Sequence, residues 1–440
     1  MSLNREILRL AVPSILANIT IPLVGIVDTA IVGHLSDAAA IGGIAIGTML
    51  FDLLYWNFGF LRIGTSGLAA QAYGAGRKDE CRKILVQSLT LALLATLFVW
   101  AIQWFFVNAV LAVVPCSSEA ASIAREYFYV RIWAAPATMM LFTFKGWFIG
   151  MQDTKSPMAT DILVNAVNMA ASYYLAVHAG YGVVGVAYGT LLAQYSGLLL
   201  ATAILLIRYS DISVFRYAEW IEAMKWPELR RMMSLNGNLF IRSLCFMVVY
   251  VGYTSLASRY GDAELAVSSI LMKFFMFFSF FVDGFAYAGE ALVGKEFGKT
   301  QESGQSSEEL GKIVRLLFNW SIGVGLFFTA LYAVFGDTFI ATMTSDSEVV
   351  TAAKPYMGWL IAMPIVSALA FMWDGVFVGA TAGVQIRNAM IWAALAFVIG
   401  YISTFSRLGA QALYIAYFAH LFARVTYLTI EWKKNYGENV

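Results

Sequence analysis

The chain has 440 residues, of which 60% are hydrophobic and 13% are charged, and its formal net charge is +1. A soluble domain carries about 25% charged residues, so this composition excludes a large soluble protein. The near-zero net charge gives no support for nucleic-acid binding. The composition predicts an all-α polytopic membrane protein.

Enzyme chemistry has no support in the sequence. The three cysteines are scattered without metal or redox spacing, and the three histidines lie far apart. There is no zinc-hydrolase motif and no nucleophile-elbow motif. We therefore expect a protein that is not an enzyme and that holds no metal or other cofactor.

Apolar runs long enough to cross a bilayer, at about 20 residues each, occur about twelve times. They lie near 8–33, 42–72, 85–114, 126–150, 158–179, 185–207, 235–259, 265–294, 313–337, 354–379, 388–406 and 411–431. The first run is too long for a signal-peptide core and has no small-residue cleavage site, so we expect it to be retained as a span.

Lysine and arginine are concentrated on one side of the predicted membrane, with clusters in 77–83, 208–231 and 295–315. The other side holds only Arg125, Arg259, Lys354 and Arg407. Because cytoplasmic loops carry an excess of these residues, both termini are predicted to be cytoplasmic. The expected location is the bacterial inner membrane.

In the first span, Asp28 is the strongest candidate for a functional residue. A carboxylate at bilayer depth costs at least about 2.5–3.5 kcal/mol, so such residues usually face a protein interior and carry function. Pro13 and Pro22 precede it and are predicted to kink the helix. Because burial disfavours the ionised form, Asp28 is predicted to exchange a proton. The alternative is a carboxylate permanently paired with an arginine.

The fifth span carries Asn165, Asn168 and Ser172 at a spacing that places them on one helix face. We predict that they line a cavity with Asp28. The alternative is ordinary hydrogen bonding between neighbouring helices, which is common in membrane bundles.

The second half of the chain has its own charged residues inside predicted spans. Arg242, Lys273, Asp283, Glu290 and Asp374 are predicted to form an ion-paired network, because unpaired charges in membranes are rare. Such a network would serve as a structural lock or as a second charge-sensitive element.

The two halves of the chain repeat each other weakly. Gly59-Phe60, Gly64, Pro136, Gly146 and Gly150 recur in order as Gly284-Phe285, Gly289, Pro364, Gly375 and Gly379. This predicts two pseudo-symmetric six-helix lobes, 1–207 and 235–440, joined by a cytoplasmic linker, 208–234. Parallel repeats of this kind are a transporter architecture. Chance alignment of glycine-rich apolar helices is the alternative.

Five segments resemble the DinF branch of the MATE (multidrug and toxic compound extrusion) transporters. They are 10–15, 22–35, 60–74, 282–290 and 373–381, among them Leu10-Ala-Val-Pro-Ser-Ile15 and Trp373-Asp-Gly-Val-Phe-Val-Gly379. The resemblance implies twelve helices, a central cavity, and efflux of cationic or amphipathic compounds in exchange for H⁺ or Na⁺. It also implies that protonation of Asp28 rearranges the first helix and that Thr190 is a hydrogen-bonding partner in the cavity.

This sequence departs from the family at two places that bear on the coupling ion. Ser172 stands where many relatives have an aspartate, which leaves one acid in that site. Na⁺-coupled relatives use an acid of the seventh span with the tenth-span aspartate, whereas this seventh span offers Arg242. A bound cation would be repelled there. Proton coupling is therefore favoured over Na⁺ coupling.

The expected function is an antiporter that exports cationic or amphipathic organic compounds in exchange for protons, by alternating access between two lobes. One alternative is a flippase for a lipid-linked precursor, although its cavity should carry a strong cationic cluster. The other is Na⁺-coupled efflux. The expected partners are small organic substrates, protons and the lipid bilayer, with no nucleic acid, and the chain is expected to act as a monomer.

Overall fold

The structure is a computed structural model. It describes residues 2–35, 38–114, 116–211, 220–221, 223–303, 308–344 and 346–437, with the backbone alone at 29, 32–35, 38–39 and 228. Nine residues of the predicted linker, 212–219 and 222, lie outside these residues. Within the described part the chain is almost entirely helical and contains no strand.

The first half forms α1 (Leu3–Leu35), α2 (Ala38–Tyr55), α3 (Phe60–Gly74), α4 (Lys78–Val113), α5 (Ser118–Arg131), α6 (Ala135–Gly150), α7 (Lys155–Tyr173) and α8 (Gly182–Arg208). The second half forms α9 (Trp226–Ala257), α10 (Asp262–Ser303), α11 (Glu308–Met343), α12 (Ser347–Ala353), α13 (Met357–Gly379), α14 (Gly383–Leu408) and α15 (Gln411–Tyr436). Short 3₁₀ turns join α2 to α3, α5 to α6 and α12 to α13, so each of these pairs forms one nearly continuous helical segment.

Ten helical segments of the described chain are long and apolar enough to cross a membrane. The two remaining predicted spans, 126–150 and 158–179, are also helical, as α5–α6 and α7. Together they carry four charged residues, Glu126, Arg131, Lys145 and Asp161. Part of that charge is paired, since Lys145 Nζ lies 2.7 Å from Asp161 Oδ2. An ion pair between neighbouring helices lowers the cost of placing both groups in a membrane.

The chain divides into two compact units. The amino-terminal lobe comprises 16–233, and the carboxyl-terminal lobe comprises 234–440 together with 1–15. The start of α1 is therefore part of the second lobe, where Lys295 Nζ lies 2.9 Å from Glu6 Oε1. The sequence instead predicts residues 1–15 as part of the first lobe. The division falls within α1, between its two prolines.

The internal repeat appears as the same helix packing in each lobe. In the first, a side chain added at Gly146 on α6 would collide with the backbone carbonyl of Arg62 on α3. In the second, a side chain added at Gly375 on α13 would collide with the carbonyl of Ala286 on α10. Each glycine lets two helix backbones approach closely, as small residues do in membrane bundles.

The turns that follow these helices also match. Gln152 after α6 and Thr381 after α13 both have positive φ, 62° and 52° respectively, and no other described non-glycine residue does. Few non-glycine residues adopt this conformation, so its recurrence at corresponding places supports a shared scaffold.

Aromatic side chains fill much of the carboxyl-terminal lobe. Phe278 on α10 packs against Phe328 on α11, and Phe328 in turn against Tyr332, with ring centroids 5.4 and 5.8 Å apart. All three are buried. This core fixes α10 and α11 and so positions the charged residues that α10 carries.

Candidate functional site

Asp28 lies on α1 in the part that belongs to the amino-terminal lobe, and it is partly buried. The hydroxyl of Ser172 on α7 lies near its carboxyl group, and the guanidinium of Arg131 on α5 interacts with it electrostatically. The Ser172 hydroxyl itself donates a 3.4 Å hydrogen bond to the Val186 carbonyl. The Oδ1 atom of Asp28 is buried, yet it accepts no hydrogen bond from any residue that the structure describes. The carboxyl group thus lies near a hydroxyl group and a cation, and its hydrogen-bonding capacity is not filled by the described residues.

A second buried acceptor in this lobe also lacks a donor. Asn168 Nδ2 donates a 2.9 Å hydrogen bond to Thr190 Oγ1 on α8, and Thr190 Oγ1 donates in turn to the Val186 carbonyl at 3.2 Å. Asn168 Oδ1, however, has no partner among the described residues. Both residues are buried. A buried acceptor without a donor costs free energy, so an added donor would stabilise this cluster.

The remaining predicted residue of the fifth span contacts α1 directly. Asn165 Nδ2 donates to Thr20 Oγ1, which lies between the two prolines of α1 and donates to the Ala17 carbonyl at 2.7 Å. The structure therefore brings Asn165, Asn168 and Ser172 together on one face of α7, between α1 and α8. We call Asp28, Asn165, Asn168, Ser172 and Thr190 the N-lobe polar cluster.

Sequence reasoning missed one acid of this lobe. Asp52 on α2 interacts electrostatically with the same Arg131 that acts on Asp28. The guanidinium of Arg131 lies 4.5 Å from the ring centroid of Phe51 and donates a 2.9 Å hydrogen bond to the Tyr127 hydroxyl. Asp52 lies within the predicted span 42–72, so the rule that singled out Asp28 could have found it. No ion pair within 4 Å joins Asp28 to an arginine of the described chain.

In the carboxyl-terminal lobe, Asp374 on α13 is held by two arginines. Its Oδ2 lies 2.5 Å from Arg242 Nη2 on α9, and its Oδ1 accepts a 3.1 Å hydrogen bond from Arg424 Nε on α15. Arg424 Nη2 makes a further contact to Oδ2. Asp374 and Arg424 are buried. We call these three residues the C-lobe arginine clamp.

The clamp differs from the predicted five-residue network. It contains Arg242 and Asp374, and it adds Arg424, which the sequence analysis left without a role. Lys273 lies elsewhere, beside a cavity between α9 and α10, and makes no ion pair with any described residue. Glu290 is buried and Asp283 is half-buried on α10.

The two lobes carry different chemistry at corresponding places. Asp28 corresponds in the repeat to Tyr253 on α9. The ring of Tyr253 packs against Tyr414 and Tyr417 of α15, with centroids 6.1 and 5.8 Å away. The position that carries an acid in one lobe is therefore occupied by an aromatic cluster in the other.

Fold and site together define a multi-pass helical membrane protein of two repeated lobes. The MatE family model matches the chain twice, over residues 13–174 and 239–406, one match in each half. The chain therefore belongs to the MatE family, whose members are transporters.

Individual relatives agree with this assignment. The chain is 32% identical over 439 residues to DNA damage-inducible protein F of Escherichia coli, covering 99% of this chain and 93% of that protein. It is 23% identical over 363 residues to the probable multidrug resistance protein NorM of Thermotoga maritima, covering 80% and 75% of the two chains. The crystal structure of a MATE protein in complex with MaL6 matches with a TM-score of 0.87 at 18% identity, covering 99% and 96%.

The resemblance that the sequence analysis stated, including the DinF branch, is confirmed by these matches. The fold is confirmed as well: the protein is all-α and polytopic, and twelve membrane-crossing helices in two repeated lobes fit both the helices of the structure and the solved MATE fold.

Proposed function

We propose that this protein is a secondary antiporter that exports amphipathic or cationic organic compounds in exchange for protons. Export of such compounds is consistent with the family and with relatives named as multidrug resistance proteins. The observation that carries proton coupling is the Oδ1 atom of Asp28, which is buried, carries part of a carboxylate charge and accepts no hydrogen bond from the described residues.

A proton fits the N-lobe polar cluster better than a metal cation does. A proton on Asp28 turns one acceptor into a donor, and a buried cluster with two unsatisfied acceptor oxygens gains from a donor. Sodium needs several oxygen ligands of net negative charge. The fifth span supplies Ser172 rather than a second carboxylate, and Arg131 already acts on Asp28. Both features weaken cation binding at this place.

The C-lobe arginine clamp argues against a sodium site in the other lobe. Asp374 contacts Arg242 and Arg424, so the cluster carries two positive charges and one negative charge. A third cation beside them would be repelled. The alternative of Na⁺ coupling through the tenth-span aspartate therefore has no support from this geometry.

The first helix is suited to carry the coupling. It is one continuous helix from Leu3 to Leu35, with its start in one lobe and Asp28 in the other. Pro13 and Pro22 each lack a backbone donor, so the helix can bend near them at low cost. A change in the charge of Asp28 alters its contacts with Ser172 and Arg131. Bending of α1 would then link protonation to the movement of the lobes in alternating access.

The proposal is tested by reconstituting wild-type protein and Asp28→Asn in liposomes and following a fluorescent organic cation such as ethidium under an imposed proton gradient. We expect the variant to lose uphill transport. Asp211→Asn is the matched control. Asp211 is an exposed carboxylate of the same lobe, and its pKa is lowered by a hydrogen bond from Lys78, so the same charge is removed away from the cluster.

Two outcomes would contradict the proposal. Uphill transport by Asp28→Asn with its pH dependence intact would remove Asp28 from the coupling role. Transport by the wild type that follows an imposed sodium gradient and ignores the proton gradient would replace proton coupling with sodium coupling.

The same proposal places the protein in a bacterial inner membrane, as a monomer with cytoplasmic termini. The observation that favours this orientation is the uneven distribution of lysine and arginine between the two sides.

A further inference from the structure

A cavity of about 270 Å³ lies between α9 and α10 in the carboxyl-terminal lobe. Its wall combines tyrosine rings, methionine side chains, three small hydroxyl groups and, among the described residues, a single charged one, Lys273. Ligand pockets in proteins start at about 300 Å³, so this space suits the end group and part of the body of a drug-sized molecule. The proposed transport function does not by itself assign a role to it.

Lys273 lies deep in a membrane-crossing helix. It is eleven residues after the start of α10 at Asp262, and at 1.5 Å per residue this places it about 16 Å along the helix. The apolar core of a bilayer is about 30 Å thick, so a span that begins at Asp262 carries Lys273 within that core. A charge at that depth is costly and is found facing a protein interior or a water-filled space.

The two arginines of the C-lobe arginine clamp have a carboxylate partner, whereas Lys273 has none among the described residues. Arg242 and Arg424 both pair with Asp374. For Lys273 no carboxylate lies within ion-pair distance among the residues described, and the side chain is exposed. The ammonium group thus has hydrogen bonds to offer to something that enters the cavity.

The surroundings of Lys273 suit an apolar body attached to an anion. Met272 and Met276 flank it on α10, and Tyr250 and Tyr253 face it from α9. Methionine adapts to apolar partners of varied shape, and tyrosine rings offer flat surfaces for stacking. The hydroxyls of Thr254 and Ser269 already donate to backbone carbonyls of their own helices, and the Ser268 hydroxyl shares a hydrogen bond with the Tyr414 hydroxyl. The principal free donor in the wall is therefore the ammonium group.

We propose that this cavity binds the acidic end group of amphipathic organic anions, such as carboxylates and sulfonates, through an ion pair with Lys273. The inference rests on the proposed export function and adds amphipathic anions to its substrate class. Organic cations gain nothing at this place, because Lys273 repels them. The repeat supports a specialised role, since the corresponding position in the first lobe is the uncharged Thr48.

The test measures binding to purified protein in nanodiscs of zwitterionic lipid, with no ion gradient. The probes are pyrenesulfonate and pyrenemethylammonium, which share one apolar body and differ in the sign of their charge. Lys273→Gln is expected to weaken pyrenesulfonate binding by about tenfold or more, since hydrogen bonds to charged groups are among the stronger ones. It should leave pyrenemethylammonium binding unchanged or stronger. Lys273→Arg should retain pyrenesulfonate binding.

Lys354→Gln is the matched control, because it removes an exposed lysine of the same lobe outside the cavity. Pyrenesulfonate binding that is unchanged in Lys273→Gln would overturn the proposal, as would equal loss of both probes in Lys273→Gln and Lys273→Arg. Weaker pyrenesulfonate binding when the protein is in nanodiscs that contain phosphatidylglycerol would assign the cavity to a lipid headgroup. That result would also overturn the proposal.

The two proposals fail separately. Binding needs no proton gradient, so Asp28→Asn should bind pyrenesulfonate like the wild type. If transport proves not to be coupled to protons, the preference of the cavity for anions still stands. If the cavity shows no preference for anions, the proposal of proton coupling at Asp28 still stands.

Discussion

The C-lobe arginine clamp makes a quantitative prediction about stability. Asp374 contacts two guanidinium groups, one 2.5 Å away at Arg242 Nη2 and the other through the 3.1 Å hydrogen bond from Arg424 Nε. Only 8% of Asp374 and 3% of Arg424 are exposed. Replacing Asp374 with asparagine therefore leaves Arg424 as a buried cation without a counter-charge.

The expected cost of Asp374→Asn is about 3–5 kcal/mol, which is typical for removal of one partner of a buried ion pair. Arg242→Met is expected to cost less, because Asp374 and Arg424 remain as a neutral pair. The loss there is one charged hydrogen bond, about 1.5–3 kcal/mol. The Arg242 side chain is also 19% exposed, so water can replace part of its contacts. Asp374→Asn is therefore predicted to lower the free energy of unfolding more than Arg242→Met does.

Thermal unfolding of the purified protein in one detergent measures this order. Asp337→Asn serves as the control, because it removes an exposed acid of the same lobe. A structural clamp predicts that the two variants lower the Tm in the stated order while the surviving Arg242→Met protein keeps its proton dependence of transport. Equal destabilisation by both variants would refute the reasoning. So would a stable Asp374→Asn protein that has lost proton-driven transport, since the acid would then be part of the coupling.

The remaining predictions concern packing, the polar cluster and topology. Gly146→Ala and Gly375→Ala should each destabilise by about 1–3 kcal/mol in thermal unfolding through overpacking, whereas Gly358→Ala, with open space around it, should not. Equal tolerance of all three would contradict the shared packing. Thr190→Val should lower the free energy of unfolding by about 1–3 kcal/mol, because the buried amide of Asn168, which donates to Thr190 Oγ1 at 2.9 Å, loses its acceptor. The exposed thiol of Cys116 should react with a membrane-impermeant maleimide in intact spheroplasts, and protection until lysis would invert the predicted topology.

The scaffold was predictable from the sequence because its signals are local. Apolar length predicts the spans, and the recurring glycines mark where helix backbones touch. The internal repeat of the sequence pairs Gly146 with Gly375, and in the structure both pack in the same way against a neighbouring helix. The face shared by Asn165, Asn168 and Ser172 follows from helical periodicity, and these residues do lie between α1 and α8.

What the sequence could not predict depends on contacts between distant residues. Arg424 is fifty positions from Asp374, and only packing of α13 against α15 reveals their pairing. Charge alone groups Lys273 with Asp374, although the carboxylate of Asp374 pairs with two arginines and, among the described residues, not with Lys273. The division of α1 is another such case, since its first part continues into the rest as one unbroken helix and nothing local assigns that part to the second lobe.

The different charge arrangements of the two lobes bear on where coupling can occur. A proton added to Asp28 enters a cluster with two unsatisfied acceptors and one arginine, which Asp52 also engages. A proton added to Asp374 would have to weaken contacts with two arginines and leave both charges uncompensated. The first lobe can therefore change its charge at much lower cost than the second. If the second lobe keeps a fixed charge, Lys273, which has no ion-pair partner in the described part of the chain, is well suited to select substrates by the sign of their charge. The Lys273→Gln and Asp28→Asn variants should consequently affect different steps, substrate selection in one case and coupling in the other.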